Sequence, residues 1–165
     1  MSADSAKVSV FVAVPIADAF EIFTKEIDRW WRQGPKYRLG GTRRGTLFME
    51  EGVGGRLFET FEVASGGTRT FEVGKITVWE PPRELQLEWR IANFKPGEKT
   101  FVEVLFETTA GSESEGTLVT VRHYGWSAIP DDHPARHGQV GAAFLRTIGM
   151  WWASLLTSLR EHTSE

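Results

Sequence analysis

The chain has 165 residues, a formal net charge of −3 and a pI near 5.9, so no overall charge draws it to nucleic acid or to anionic lipid. It has no cysteine, which excludes disulfides, thiolate catalysis and thiolate zinc sites. Aromatic residues are the unusual part, with 11 Phe, 7 Trp and 2 Tyr, enough flat apolar surface to fill a large core or line a pocket.

Residues 1–7 are polar and carry no secretory pattern, and no apolar run approaches the roughly 20 residues of a membrane span. A soluble, cytoplasmic protein is expected, with one domain over residues 1–165 and a core of about residues 7–161. Lys7 to Val14 alternates, with Val8, Val10, Val12 and Val14 on one side, as in a half-buried strand. Pro15 then opens a short helix with Ile16, Ala19, Phe20 and Phe23 as its apolar side, and Ile27, Trp30 and Trp31 continue as a second. Gln33 to Gly45 reads as a loop, marked by Gly34-Pro35 and Gly40-Gly41.

Six strands are expected next: Thr46–Glu51, Arg56–Val63, Arg69–Glu80, Glu84–Ile91, Thr100–Thr109 and Thr117–Tyr124, with a polar loop over Gly111–Gly116. In the third of these the parity slips from Phe71 and Val73 to Ile76 and Val78, which predicts a β-bulge at Gly74. The last element is a long helix from Pro134 to Glu161. Its apolar face is Val140, Phe144, Ile148, Trp151, Leu155 and Leu159, widened by Leu145, Trp152 and Leu156. Gly138, Gly141 and Gly149 each cost such a helix about 1 kcal/mol, so packing has to stabilise it, and glycine leaves room for a close strand or a bound molecule. Short connections favour an antiparallel sheet, and one covering helix makes the class α+β.

This order resembles the helix-grip fold of the START-like, or SRPBCC, superfamily: a curved antiparallel sheet of about six or seven strands gripping a long C-terminal helix, with two short helices after the first strand. The closer resemblance is to the family of the activator of the ninety-kilodalton heat-shock protein ATPase. It rests on Val14-Pro15 with Ala19-Phe20 and Phe23, on Trp30-Trp31, and on Gly54-Gly55-Arg56-Leu57-Phe58-Glu59. The run Gly74 to Arg83 and Gly116-Thr117 with Val119, Val121, His123, Gly125 and Trp126 complete it. The resemblance implies a cavity between helix and sheet that takes small apolar or amphipathic molecules. It also implies, by analogy, a chaperone partner, and some relatives are cyclases, hydrolases or lipid carriers.

On that fold Trp30, Trp31, Phe48, Trp89, Phe106, Phe144, Ile148 and Trp151 converge on the helix–sheet space. They either line a pocket or simply fill the core. His123 shares parity with Val119 and Val121 and should point inward. It serves there as a polar anchor or general acid/base, or is a core histidine satisfied by a carboxylate or backbone carbonyl. Glu59 is a second candidate for acid/base work, although Glu50, Glu59 and Glu72 read more simply as solvated or salt-bridged carboxylates. His133 and His137 share a helical face in this reading, but no third ligand converges on them and Asp131 and Asp132 suit helix capping, so no metal is expected. The basic run Arg29, Arg32, Lys36, Arg38, Arg43 and Arg44 reads as a solvated loop; steering an anionic ligand to the pocket mouth is the alternative. No motif calls for a cofactor or a nucleic-acid partner.

Three readings result: a binding module for a small hydrophobic or amphipathic ligand, with Trp30, Phe48, Trp89, Phe106, His123, Phe144, Ile148 and Trp151 at its site; an enzyme on the same cavity, using His123 and Glu59; or a co-chaperone-like protein acting through its surface. A sheet covered by one helix often forms homodimers, without any residue here pointing to it.

Overall fold

The computed structural model describes residues 4–91, 94–109 and 112–164. Residues 1–3 of the polar start and Gly111 of the expected loop lie outside them.

In β1 (Ala6–Val12) the alternating valines turn one face inward, and Val10 and Val12 are buried. Pro15 is the cap of α1 (Ile16–Lys25), which buries Ile16, Ala19, Phe20 and Phe23, a single helical face. One further turn, α2 (Ile27–Trp30), buries Ile27 and Trp30. The chain then meanders through β2 (Gly45–Met49), β3 (Arg56–Glu62), β4 (Thr68–Glu80), β5 (Glu84–Trp89), β6 (Thr100–Thr109) and β7 (Ser112–Tyr124). Every pairing is antiparallel, and β1 closes beside β7, giving the order β1-β7-β6-β5-β4-β3-β2. The two short helices thus carry the chain from one edge of the sheet to the other. The long helix α3 (Gly141–Thr163) lies on the inner face of the curled sheet, nearest β1 and α2. This is the helix-grip α+β architecture.

The expected bulge is present. Leu57 lies opposite Gly74 and Phe58 opposite Glu72, so Val73 is the extra residue of β4. It lets both Val73 and Ile76 face inward despite their opposite parity. Gly74 is required there, because a Cβ would collide with the Glu88 carbonyl of β5.

Two expectations are corrected. β7 begins at Ser112, so much of the expected polar loop is strand. The long helix begins at Gly141, not Pro134. Residues Pro134–Arg136 form a 3-10 turn, and His137 (φ 49°) and Gly138 (φ 80°) then take left-handed conformations that a right-handed helix cannot contain. Val140 is consequently outside the helix and 50% exposed. Only Gly149 remains a glycine of the helix interior, with Val8 of β1 4.0 Å from where its Cβ would stand.

The C-terminal half of α3 is packed solidly. Trp152, Leu155, Leu156 and Leu159 are buried against the sheet and the short helices. Beneath them Phe106 of β6 meets Phe20 at 5.1 Å and Phe23 at 5.6 Å, and Phe23 meets Trp30 at 4.9 Å. A second apolar cluster, Phe94, Trp126, Ile129, Ala135 and Phe144, sits at the other end of the helix.

The two glycines make opposite predictions. Gly149→Ala adds a methyl where space is open and is expected to raise stability by up to about 1 kcal/mol. Gly74→Ala is expected to cost about 1–3 kcal/mol through the clash with β5. Urea unfolding of both variants checks this; a destabilised Gly149→Ala or an unaffected Gly74→Ala contradicts the packing described.

Candidate functional site

Between its packed half and the Phe94 cluster, α3 stands off from the sheet. A cavity of about 440 Å³ opens there under Phe144, Ile148 and Trp151 of the helix. Trp89 at the end of β5, Ile91 just beyond it and His123 from β7 form its floor, and Trp126 and Ala135 its far wall. A second cavity of about 280 Å³ lies toward β2–β4, against Trp31, Tyr37, Leu47, Leu57, Glu59 and Val73. The two share Pro35, Lys36, Trp89, Ile91 and Trp151 as a common wall.

The loop from α2 to β2 forms the rim and is tied to the helix by hydrogen bonds. Trp151 Nε1 donates to the Lys36 carbonyl at 2.8 Å, Tyr37 Oη bonds Ser154 Oγ at 2.9 Å, and Arg32 Nε donates to the Ser154 carbonyl at 2.8 Å. The Tyr37 ring stacks on Trp151, with centroids 5.8 Å apart. Arg38 braces the loop from within. It is 5% exposed and donates to Asp28 Oδ1 at 2.7 Å and to the carbonyls of Asp28, Trp31 and Arg32. The basic run is therefore not the uniformly solvated loop expected from the sequence: Arg38 is a buried brace, whereas Arg29, Lys36, Arg43 and Arg44 are exposed.

His123 is 2% exposed and faces inward. The Trp152 indole N–H donates to its Nδ1 at 3.1 Å. Nδ1 is thus the acceptor, Nε2 carries the proton, and it donates to Thr100 Oγ1 at 2.7 Å. The Thr100 hydroxyl in turn donates to the Trp89 carbonyl at 3.4 Å. The partners are an indole and a hydroxyl, not the carboxylate or carbonyl expected. Burial pushes the imidazole pKa down to about 3, because desolvation disfavours the charged ring. A neutral ring with both nitrogens engaged is a structural hub rather than a proton shuttle.

Glu59 is also buried, 3% exposed, and lies in the smaller cavity, apart from His123. Its Oε1 accepts from the Leu39 amide at 2.8 Å and its Oε2 from the Gly40 amide at 2.9 Å. It is neither solvated nor salt-bridged, contrary to the simpler sequence reading; backbone donors satisfy it. A Cβ on Gly40 would stand 2.8 Å from the Phe61 ring and 3.1 Å from Glu59 Oε2, so the loop passes as close as glycine permits. Glu50 does pair with a cation: Arg56 holds its carboxyl down at about 2.

Of the residues expected at the site, Trp89, His123, Phe144, Ile148 and Trp151 meet around the larger cavity, and Trp31 lines the smaller one. Trp30 and Phe106 do not reach either cavity; they are fully buried in the packed half of the core. Phe48 points to the other face of the sheet, 46% exposed and stacked on Phe58 at 5.3 Å, while its neighbour Leu47 points inward. The β2 register therefore places Leu47, not Phe48, at the cavity. Reading the sequence missed Trp126, which lies in the irregular segment after β7, and Ala135, Gln139 and Thr147, which a helix start set seven residues too early misplaces.

That far wall is built by cation-to-carbonyl contacts. Arg136, 5% exposed, donates to the carbonyls of Trp126, Ile129 and Pro130 and lies 5.0 Å from the Phe144 ring centroid. His133 accepts from the Ala135 amide through Nδ1 and bonds Glu98 through Nε2 at 2.8 Å. The Lys95 amide and that imidazole hold the Glu98 carboxyl below its usual range. His133 and His137 do not share a helical face, since the 3-10 turn and the left-handed His137 separate them. Among the described residues, no group of three or more His, Asp and Glu side chains is placed to hold a metal.

The sequence profile of the family described as Activator of Hsp90 ATPase homolog 1-like protein matches residues 13–162. No functionally curated protein matches the chain. Among solved structures, the chain is similar to an HSP90 activator from Plasmodium falciparum, at 18% identity and TM-score 0.62, covering 98% of this chain and 96% of that one. A solution structure from Cytophaga hutchinsonii aligns with TM-score 0.65 at 13% identity, covering 97% and 93%. A crystal structure from Mesorhizobium loti aligns with TM-score 0.61 at 17% identity, covering 95% and 94%. At these identities the likeness is one of fold.

The His123 hub carries a pH prediction. Below about pH 6.5 the unfolded chain takes up a proton at this ring that the folded chain refuses until about pH 3, so its contribution to stability is lost as pH falls. His123→Gln cannot titrate. Its stability deficit against the parent, measured by urea unfolding at about pH 7 and about pH 4.5, is expected to shrink by about 2–3 kcal/mol at the lower pH. A constant deficit contradicts a neutral buried ring.

Proposed function

The chain belongs to the Activator of Hsp90 ATPase homolog 1-like family, and from that premise we propose that it binds a small apolar or amphipathic molecule in the cavity between the first half of α3 and the sheet. The carrying observation is the space itself: about 440 Å³, walled by Trp89, Trp126, Phe144, Ile148 and Trp151. Ligand sites are concave, mainly apolar and of this order of size, with few polar groups. The reading is favoured over catalysis because His123 and Glu59 lie in different cavities, each with its polar atoms already engaged. Among the described residues no helix is long and apolar enough to cross a membrane.

A co-chaperone-like role is the second reading, supported by the family match and by the likeness to the Plasmodium HSP90 activator. It needs an exposed apolar docking face. The tryptophans do not supply one, since all seven are buried or half-buried. Phe11 and Phe48, two large exposed apolar side chains, sit on opposite edge strands of the sheet.

Titration with the neutral fluorophore N-phenyl-1-naphthylamine tests the proposal. Saturable one-to-one binding is expected, and Ile148→Trp, which fills the cavity from the helix side, is expected to weaken it at least about tenfold, some 1.4 kcal/mol. Absence of saturable binding, or equal binding by Ile148→Trp, contradicts it. Stimulation of a chaperone ATPase that Ile148→Trp leaves intact would favour the second reading.

A further inference from the structure

We infer that the occupant of the cavity is an anion: an amphipathic molecule with an apolar body and one negatively charged head group, held at the rim by Lys36. This rests on the binding reading above and adds the sign of the ligand's charge. The two cavities have several basic residues in their walls (Lys36 in both, Arg38 and Arg90 in the smaller) and a single acidic one, Glu59. Glu59 has an amide on each oxygen. Arg38 is engaged by Asp28 and three carbonyls, and Arg90 by the carbonyls of Phe94, Lys95 and Glu98.

Lys36 differs from both arginines. Among the described residues, no carboxylate lies within ion-pair distance of its ammonium. Its backbone is fixed in the wall common to both cavities by the Trp151 indole, and its Nζ stands 5.7 Å from the Tyr37 ring centroid, on the ring that stacks against Trp151. The side chain is exposed. An apolar body lodged under Trp151 would therefore leave its head group at the rim beside an unmatched cation. There a carboxylate or sulfonate keeps part of its hydration and gains a charge-assisted contact. A cationic head group would meet like charge instead.

A matched pair of probes tests this, because 8-anilinonaphthalene-1-sulfonate is N-phenyl-1-naphthylamine with a sulfonate added. Hydrophobicity alone favours the neutral compound. The parent protein is expected to bind the sulfonate about tenfold more tightly than the neutral probe, and in Lys36→Gln that ratio is expected to fall toward one. Equal affinities for the two probes, or a ratio unchanged in Lys36→Gln, overturns the inference and leaves the binding reading standing. Failure of both probes to bind saturably overturns both.

Discussion

The hydrogen bond from Trp152 to His123 sets where the helix leaves the sheet. It joins the middle of α3 to β7, and Thr100 extends it to the carbonyl of Trp89 at the end of β5. On the C-terminal side of this point every inward helix position is filled by leucine against aromatic rings. On the N-terminal side the next inward residues, Ile148 and Phe144, face a cavity. A buried polar chain of this kind is favourable only when fully paired. The four groups satisfy one another in a single arrangement, so they specify the register of helix on sheet.

The rest of the site follows from that anchor. Trp151 precedes Trp152 and is carried to the rim, where its own N–H finds the Lys36 carbonyl. The α2–β2 loop is thereby tied to the helix, and Asp28 and Arg38 tie it to α2 and to the Leu47 amide of β2. The far wall is held by Arg136, whose guanidinium gathers the carbonyls of a loop with no sheet partner. Each piece of irregular backbone around the cavity is fixed by a side chain that supplies what regular structure would have supplied. The site is thus formed by braced loops on a rigid half-core.

How much of this was legible in the sequence depended on how local its cause was. The strands were legible because a half-buried strand writes its two faces as alternation, and the bulge because one extra residue inverts parity at Val73. The inward aim of His123 followed from the same rule. Phe48 misled, since an aromatic residue on an edge strand stacks on its neighbour Phe58 as readily as it enters a core. The helix start misled for a different reason. Pro134 is a good first helical residue and also a good first residue of a 3-10 turn, and only the left-handed His137 and Gly138 decide between them. The periodic stripe concealed that Trp151 and Trp152 divide the work, one at the rim and one in the core. The roles of Arg38 and Arg136 left no sequence signal, because their partners are backbone carbonyls, with the Asp28 carboxylate on Arg38 the one side chain among them.

The central claim is that α3 grips the sheet over its second half and leaves an accessible cavity under its first. The indole N–H resonances of the seven tryptophans report on both halves at once. During titration with N-phenyl-1-naphthylamine, proton–nitrogen correlation spectra should show the Trp151 and Trp126 signals shifting to saturation while those of Trp30 and of Trp79, whose ring meets Phe20 of the packed half at 5.1 Å, stay in place. Equal shifts at all of them, or shifts confined to Trp30 and Trp79, would contradict the account.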